Sequence, residues 1–199
     1  MRCKELRLEA KVPRMPLTLL DPGSALVVID LQKGLMSYPT VDPVADIASR
    51  AARLANAFRK RRLPVVLVNV AGRAPGRIAQ ARPSGEPPAD WADLIPELDA
   101  QEEDIRITKR TWGAFMHTGL ESKLRELGTT QIVLCGIATS LGVESTAREA
   151  YALGFNVALA TDAMTDMDQG AQENSVGRIF PKLGETGTTD EIIGLVERL

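Results

Sequence analysis

Short β-branched runs alternate with amphipathic stretches along this chain in a regular order. Ala25–Ile29 (ALVVI) is a continuous apolar run ending at Asp30, the pattern of a parallel strand buried on both faces. Asp42–Arg61 places Val44, Ile47, Ala51, Leu54, Ala55 and Phe58 at helical spacing, which predicts a helix with one apolar face. Leu63–Val70 predicts a second strand, Asp104–Thr108 a third, Gln131–Cys135 a fourth and Phe155–Ala160 a fifth. Helices are predicted at Thr118–Leu127, closed by Gly128, and at Leu141–Leu153, closed by Gly154, because glycine takes the left-handed conformation that ends a helix. Gln169–Phe180 and Thr188–Leu199 read as two more helices, with a sixth strand expected within Gly184–Thr189. Ala71–Pro96 carries prolines at 75, 83, 87, 88 and 96 and reads as a long loop.

Strand and helix in alternation predict an α/β fold: a three-layer α/β/α, Rossmann-like domain with about six mostly parallel strands and helices on both faces. Residues 1–20 read as an arm placed to pack on a neighbouring subunit, and 21–199 as a single domain. In such sheets ligands bind beyond the carboxyl ends of the strands. Strand one ends at Asp30, strand three runs into Lys109, and strand four ends at Gly136. Three strands therefore deliver a carboxylate, an ammonium and a glycine-containing turn to one edge.

Composition narrows the function classes. With 44% hydrophobic and 25% charged residues the chain is an ordinary globular one, not a disordered or collagen-like one. Net charge is 24 − 26 = −2, no basic stripe stands out, and aromatics are only 4%, so a nucleic-acid partner is not expected. The apolar runs are too short to span a membrane, and the N-terminus holds no unbroken apolar core of the secretory kind. Cys3 and Cys135 are too few for a disulfide framework and suit a reducing compartment, so a cytoplasmic location is expected. His117 is the only histidine. A Ser-His-Asp triad would have to use it, and a zinc site with two or three histidines is impossible.

Read alone, Asp30 fits a helix-cap or loop carboxylate as well as a functional group, and Lys109 fits a solvated strand end. Together they form a candidate ion pair in which the lysine tunes the proton affinity of the aspartate. The segment Gly136–Arg148, GIATSLGVESTAR, joins a strand to a helix, so backbone N–H groups near the helix start can face the cleft and hold an anion. A plain strand-to-helix turn capped by Thr139 or Ser140 fits the same residues.

Three segments together carry a resemblance. ALVVIDLQKG at 25–34, TKRTWGAF at 108–115 and GIATSLGVESTAREAYALGFNVALATDAM at 136–164 resemble, in order, the isochorismatase-like hydrolase superfamily, which includes nicotinamidases, carbamoyl-hydrolysing amidases and isochorismatase. The resemblance implies Asp30 as general acid or base supported by Lys109, and a cis peptide between Ile137 and Ala138 that shapes an oxyanion site with the N–H groups of Ala138 and residue 142. It implies Gln32, Trp112, Phe115 and Thr139 as substrate-binding residues, with Arg73 and Arg77 as candidate partners for substrate carboxylates. It also implies a small-molecule substrate, a homo-oligomer (dimer or tetramer), and neither cofactor nor metal.

The chain departs from the amidase branches at one position. Their pattern G-[VI]-x-T-x-x-C ends in the nucleophilic cysteine, and Gly142 stands in that place here. Glycine has no side chain, so no thioester can form. Cys135 lies seven residues earlier, in the strand, and Ser140 is two residues off. Isochorismatases also carry glycine there and cleave a vinyl ether to release pyruvate, with the aspartate protonating carbon. The expected activity is hydrolysis of that type, with Lys109 and the turn N–H groups holding a carboxylate. An amidase-branch member inactivated at 142 and a non-enzymatic binding or assembly protein remain open alternatives.

Overall fold

The computed structural model describes residues 16–79 and 85–199. Six strands, β1 (Ser24–Ile29), β2 (Val65–Val70), β3 (Ile105–Lys109), β4 (Gln131–Ile137), β5 (Asn156–Thr165) and β6 (Glu185–Gly187), form one parallel sheet in the order β3-β2-β1-β4-β5-β6. β1 is buried along its whole length because it pairs with β2 on one side and β4 on the other, Val28 facing both Leu67 and Cys135. The chain winds outward in both directions from the β1/β4 pair, which opens a crevice above their carboxyl ends.

Alternate residues of the strands feed two cores. Leu26, Val28, Leu67 and Val133 pack under α1 (Val44–Lys60) and α5 (Thr189–Val196) on one face. Val27, Ile29, Val66 and Leu134 pack under α2 (Leu120–Glu126) and α3 (Glu144–Ala152) on the other. In α1 the 3.6-residue spacing buries Val44, Ile47, Ala51, Leu54, Ala55 and Phe58 on one side, as expected. Phe58 is fully enclosed, so Phe58→Ala would cost about 3–5 kcal/mol.

The structure differs from the sequence reading at several boundaries. β5 runs on to Thr165 rather than ending at Ala160, because polar Thr161 and Asp162 interrupt the apolar run within a register shift, after which Gly136 pairs with Met164. The helix expected over Gln169–Phe180 is α4 (Gln169–Asn174), then a wide π turn over Ser175–Ile179 and a tight turn containing Pro181, which has no N–H to continue a helix. Of the expected arm, residues 1–15 lie outside the described residues. Residues 16–20 pack on their own chain: Leu17 N–H donates to Thr186 O at 3.0 Å, and Leu17 and Leu20 enter the α1 core. Among the described residues no helix is long and apolar enough to cross a membrane.

Candidate active site

β1 delivers Asp30 to the crevice with φ at 52°, a left-handed conformation that aspartate tolerates better than most side chains. Its N–H donates to Val68 O and its carbonyl accepts from Gln32 N–H, both at 2.9 Å. β3, two strands away, supplies Lys109, whose Nζ lies 2.7 Å from Asp30 Oδ2 with only 2% of the side chain exposed. Lys109 Nζ also donates to Thr111 O at 3.1 Å and Trp112 O at 2.9 Å. An ammonium has three N–H groups, and all three are therefore occupied. The expectation that Lys109 also holds a substrate carboxylate is corrected by this geometry.

The second oxygen of Asp30, Oδ1, is buried and has no hydrogen-bond partner among the described residues. Burial pushes the Asp30 pKa up from 3.8 to about 6, against the opposing pull of the Lys109 charge and hydrogen bond. Because Oδ2 accepts from the ammonium, a proton on this carboxyl group belongs on Oδ1.

The turn after β4 brings the main chain against the same point. Gly136 has φ at 118°, and a Cβ there would sit 2.0 Å from Ile29 O, so only glycine fits where β4 passes the end of β1. The Ile137–Ala138 peptide is cis. Residues Thr139–Val143 form a π turn that leads into α3. A Cβ on Gly142 would lie 3.3 Å from Asp30 Oδ2, 3.2 Å from Ile137 O and 2.8 Å from Ile29 Cγ2. Position 142 thus faces the acid directly, and the space is closed by Ile29. Ser140 N–H donates to Asp166 Oδ2 at 2.6 Å, so this N–H of the turn is already committed to an internal carboxylate.

α3 holds the lysine's cage in place. Thr146 Oγ1 accepts from Ala114 N–H at 3.2 Å and donates to Gly142 O at 2.7 Å. Glu149 Oε2, one turn on, accepts from Phe115 N–H at 2.9 Å. The Glu149 carboxyl occupies the space that a Gly113 side chain would need, with its carbon 2.2 Å from where that Cβ would be. The 111–115 segment, in which the carbonyls of Thr111 and Trp112 hold Lys109, is thereby pinned to the helix that follows Gly142.

Asp30, Lys109, Gly142, Ile137, Ala138, Trp112 and Arg73 all line one cavity of about 620 Å³, so these sequence-predicted residues do come together. A depression of about 690 Å³ beside Trp91 is slightly larger, but its charged groups, Lys33 and Asp90, are exposed and paired with each other. Four predicted positions are elsewhere. Gln32 is fully buried, and its amide ties β2 to the segment around Trp91 through Val70 N–H, Val70 O and Trp91 O. Phe115 packs on Phe155 in the α2/α3 core, with ring centroids 5.8 Å apart. The Thr139 hydroxyl is buried without a partner and does not reach the cavity wall. Arg77 is exposed and off the wall. Cys135 lies inside β4 with its thiol pushed up to about 12 by burial, so it supplies no thiolate. Among the described residues no three His, Cys, Asp or Glu side chains come together as a metal site.

Sequence reasoning missed Thr146, Glu149 and Asp166. The i, i+3 spacing of Thr146 and Glu149 puts them on one helix face and could have flagged that pair. Asp166 carries no such signal, because it lies beyond the apolar run that predicts β5.

The model of the isochorismatase domain matches residues 24–191. The chain belongs to the isochorismatase family. It is similar to the uncharacterized isochorismatase family protein YwoC of Bacillus subtilis, 42% identical over 181 residues that cover 87% of this chain and 94% of that protein. A solved isochorismatase family protein from Burkholderia thailandensis matches with a TM-score of 0.80 at 41% identity, covering 90% of this chain and 98% of that one. The ureidoacrylate amidohydrolase RutB of Variovorax paradoxus is 29% identical over 89% of this chain and 83% of its own length. This isochorismatase-family chain is a hydrolase by that membership, and its crevice holds Asp30 and Lys109 at contact distance.

Proposed function

We propose that this hydrolase cleaves a vinyl ether of pyruvate by proton transfer to carbon, with Asp30 as the acid and no covalent intermediate. The observation that carries the reading is Asp30 Oδ1, a buried oxygen without a partner on a carboxyl whose pKa is about 6, set in the wall of the cavity. A proton on Oδ1 passes to the terminal methylene carbon of the enol ether and leaves positive charge shared between the ether oxygen and its carbon. Water adds to that carbon and returns a proton to Asp30. The resulting hemiketal expels the alcohol as pyruvate forms. Lys109 fixes the carboxyl and keeps its ionised form tolerable after the transfer.

Residue 142 supports this reading by offering no nucleophile, and Ile29 Cγ2, 2.8 Å from where a Cβ would be, crowds the position. Likeness to an amidohydrolase favours a second reading, amide hydrolysis, in which Asp30 would act as base. The experiment is pyruvate release from 2-phenoxyacrylate, with isochorismate, an enol ether bearing a second carboxylate, beside it, by the wild type and Asp30→Asn. Release by the wild type that disappears in the variant is expected, since an amide cannot deliver the proton. Equal turnover in Asp30→Asn, or no pyruvate from either compound, would overturn the proposal.

A further inference from the structure

The cavity's charges are nearly all committed before any ligand arrives. Its walls carry two acids, Asp30 and Glu149, and two bases, Arg73 and Lys109. Lys109 is occupied by Asp30 and two carbonyls, and one Glu149 oxygen by Phe115 N–H. Arg73 is exposed at the mouth and has no hydrogen-bond or ion-pair partner among the described residues, which makes it the one free cation on the described wall. The rest of the lining is largely apolar. Tyr38, Trp112, Met116 and Met167 ring the entrance with 45%, 65%, 51% and 43% of their surfaces exposed. Large apolar side chains gathered at this exposure around one opening mark a surface built to be covered. Val70, Leu141 and Ile137 continue that surface down to Asp30.

We propose that the ligand class of this cavity is a monocarboxylate with a flat apolar body, its single carboxylate paired with Arg73 and its ring against Trp112, Met116 and Met167. This deepens the vinyl-ether reading and rests on it for turnover, though not for binding. A single carboxylate finds a bidentate partner in the Arg73 guanidinium. A second one would be carried onto apolar wall or toward Glu149, where no described cation is free to receive it, and a buried unpaired carboxylate is strongly disfavoured. Flat aromatic or cyclohexenyl bodies suit the thioether and indole surfaces of the rim. A volume of about 620 Å³ admits such a body together with the enolpyruvyl group.

Binding and turnover test the inference separately. Binding is read by quenching of indole fluorescence with 2-phenoxypropionate, which has no vinyl group to hydrolyse. Trp112→Phe identifies the responding indole, since Trp91 is the only other. Arg73→Gln should weaken binding about tenfold or more, the loss typical of a charge-assisted hydrogen-bonded pair. The double variant Met116→Ser/Met167→Ser should weaken 2-phenoxypropionate while leaving 2-methoxypropionate nearly unchanged, with the same sedimentation as the wild type. In turnover, 2-phenoxyacrylate should exceed 2-(3-carboxyphenoxy)acrylate by about tenfold or more in kcat/KM, a margin within reach of one misplaced polar group. Preference for the dicarboxylate, or full affinity in Arg73→Gln, would overturn the proposal. So would rim variants that change the association state without changing affinity, because the ring would then be a contact between subunits. Tight binding of 2-phenoxypropionate with no pyruvate from any ether would sink the hydrolytic reading and uphold the ligand class.

Discussion

Lys109→Met isolates what the ammonium does to the acid. Methionine keeps an unbranched apolar stem and removes a charge that sits 2.7 Å from Asp30 Oδ2. With lysine present the carboxyl titrates at about 6, burial raising it and Lys109 restraining the rise. A contact cation lowers a carboxyl pKa by roughly 1–3 units, so its loss moves the midpoint to about 7–9. The proton-holding form exists below the midpoint. If Oδ1 must carry the proton, wild-type turnover is flat below about pH 5 and falls tenfold per unit well above 6, with about a tenth of the enzyme protonated at pH 7. In the variant the same curve should break one to three units higher, whatever its plateau height. The freed carbonyls of Thr111 and Trp112 cost stability, about 1–3 kcal/mol for each left unpaired, so circular dichroism must accompany the kinetics. The assay is pyruvate release from 2-phenoxyacrylate between pH 4.5 and 9, beside the carboxyl ¹³C shift of Asp30. A rate that climbs through pH 6 would make Asp30 a base and refute the acid mechanism. A break that stayed at 6 in the variant would refute the coupling.

Two further outcomes follow from close contacts elsewhere in the site. Gly142→Ala places a methyl 2.8 Å from Ile29 Cγ2 and should destabilise the fold by about 1–3 kcal/mol in urea unfolding, and the double variant with Ile29→Ala should lose clearly less than the sum of the singles. Strict additivity would show that the two positions do not compete for space. Gln32→Leu should lower the melting temperature, because Val70 N–H, Val70 O and Trp91 O each lose a partner at about 1–3 kcal/mol, while the KM of the folded enzyme stays near wild type. A raised KM at unchanged melting temperature would return Gln32 to the binding surface.

Much of this was legible in the sequence because two periodicities dominate it. Continuous apolar runs of five to seven residues rich in β-branched side chains fit strands buried on both faces, and their alternation with 3.6-period stretches points to a parallel sheet. From there, residues at strand ends had to meet, which is why Asp30, Lys109 and the Gly136 turn were found together. What the sequence hid were contacts made across the fold by polar groups with no periodic signature. Gln32 follows the acid by two positions and looked like a substrate ligand, yet its amide is consumed by main chain from β2 and the Trp91 segment. Phe115 sat in a motif that suggested a pocket wall, but its ring went to the core against Phe155. Two of the three partners that occupy Lys109 are backbone carbonyls, which no side-chain pattern announces.

The electrostatics of the site bear on which chemistry it favours. Acyl transfer builds negative charge on an oxygen and needs donors and cations that are free to meet it. Here the ammonium is saturated, and a second carboxyl, Glu149, sits in the wall. Each of these disfavours an oxyanion. Protonation of an enol ether builds positive charge instead, and it converts Asp30 from neutral acid to carboxylate in the same step. On that chemistry the developing cation would face the anion that produced it, within a cavity whose apolar walls would strengthen their attraction. Lys109 sits behind that carboxylate and limits how strongly it reclaims the proton. A cysteine at 142 would set a thiol against Asp30 Oδ2, the oxygen that Lys109 already holds. On the proposed chemistry, glycine at 142 and a proton-retaining aspartate opposite would be two halves of one arrangement, in which the acid rather than a nucleophile meets the substrate first.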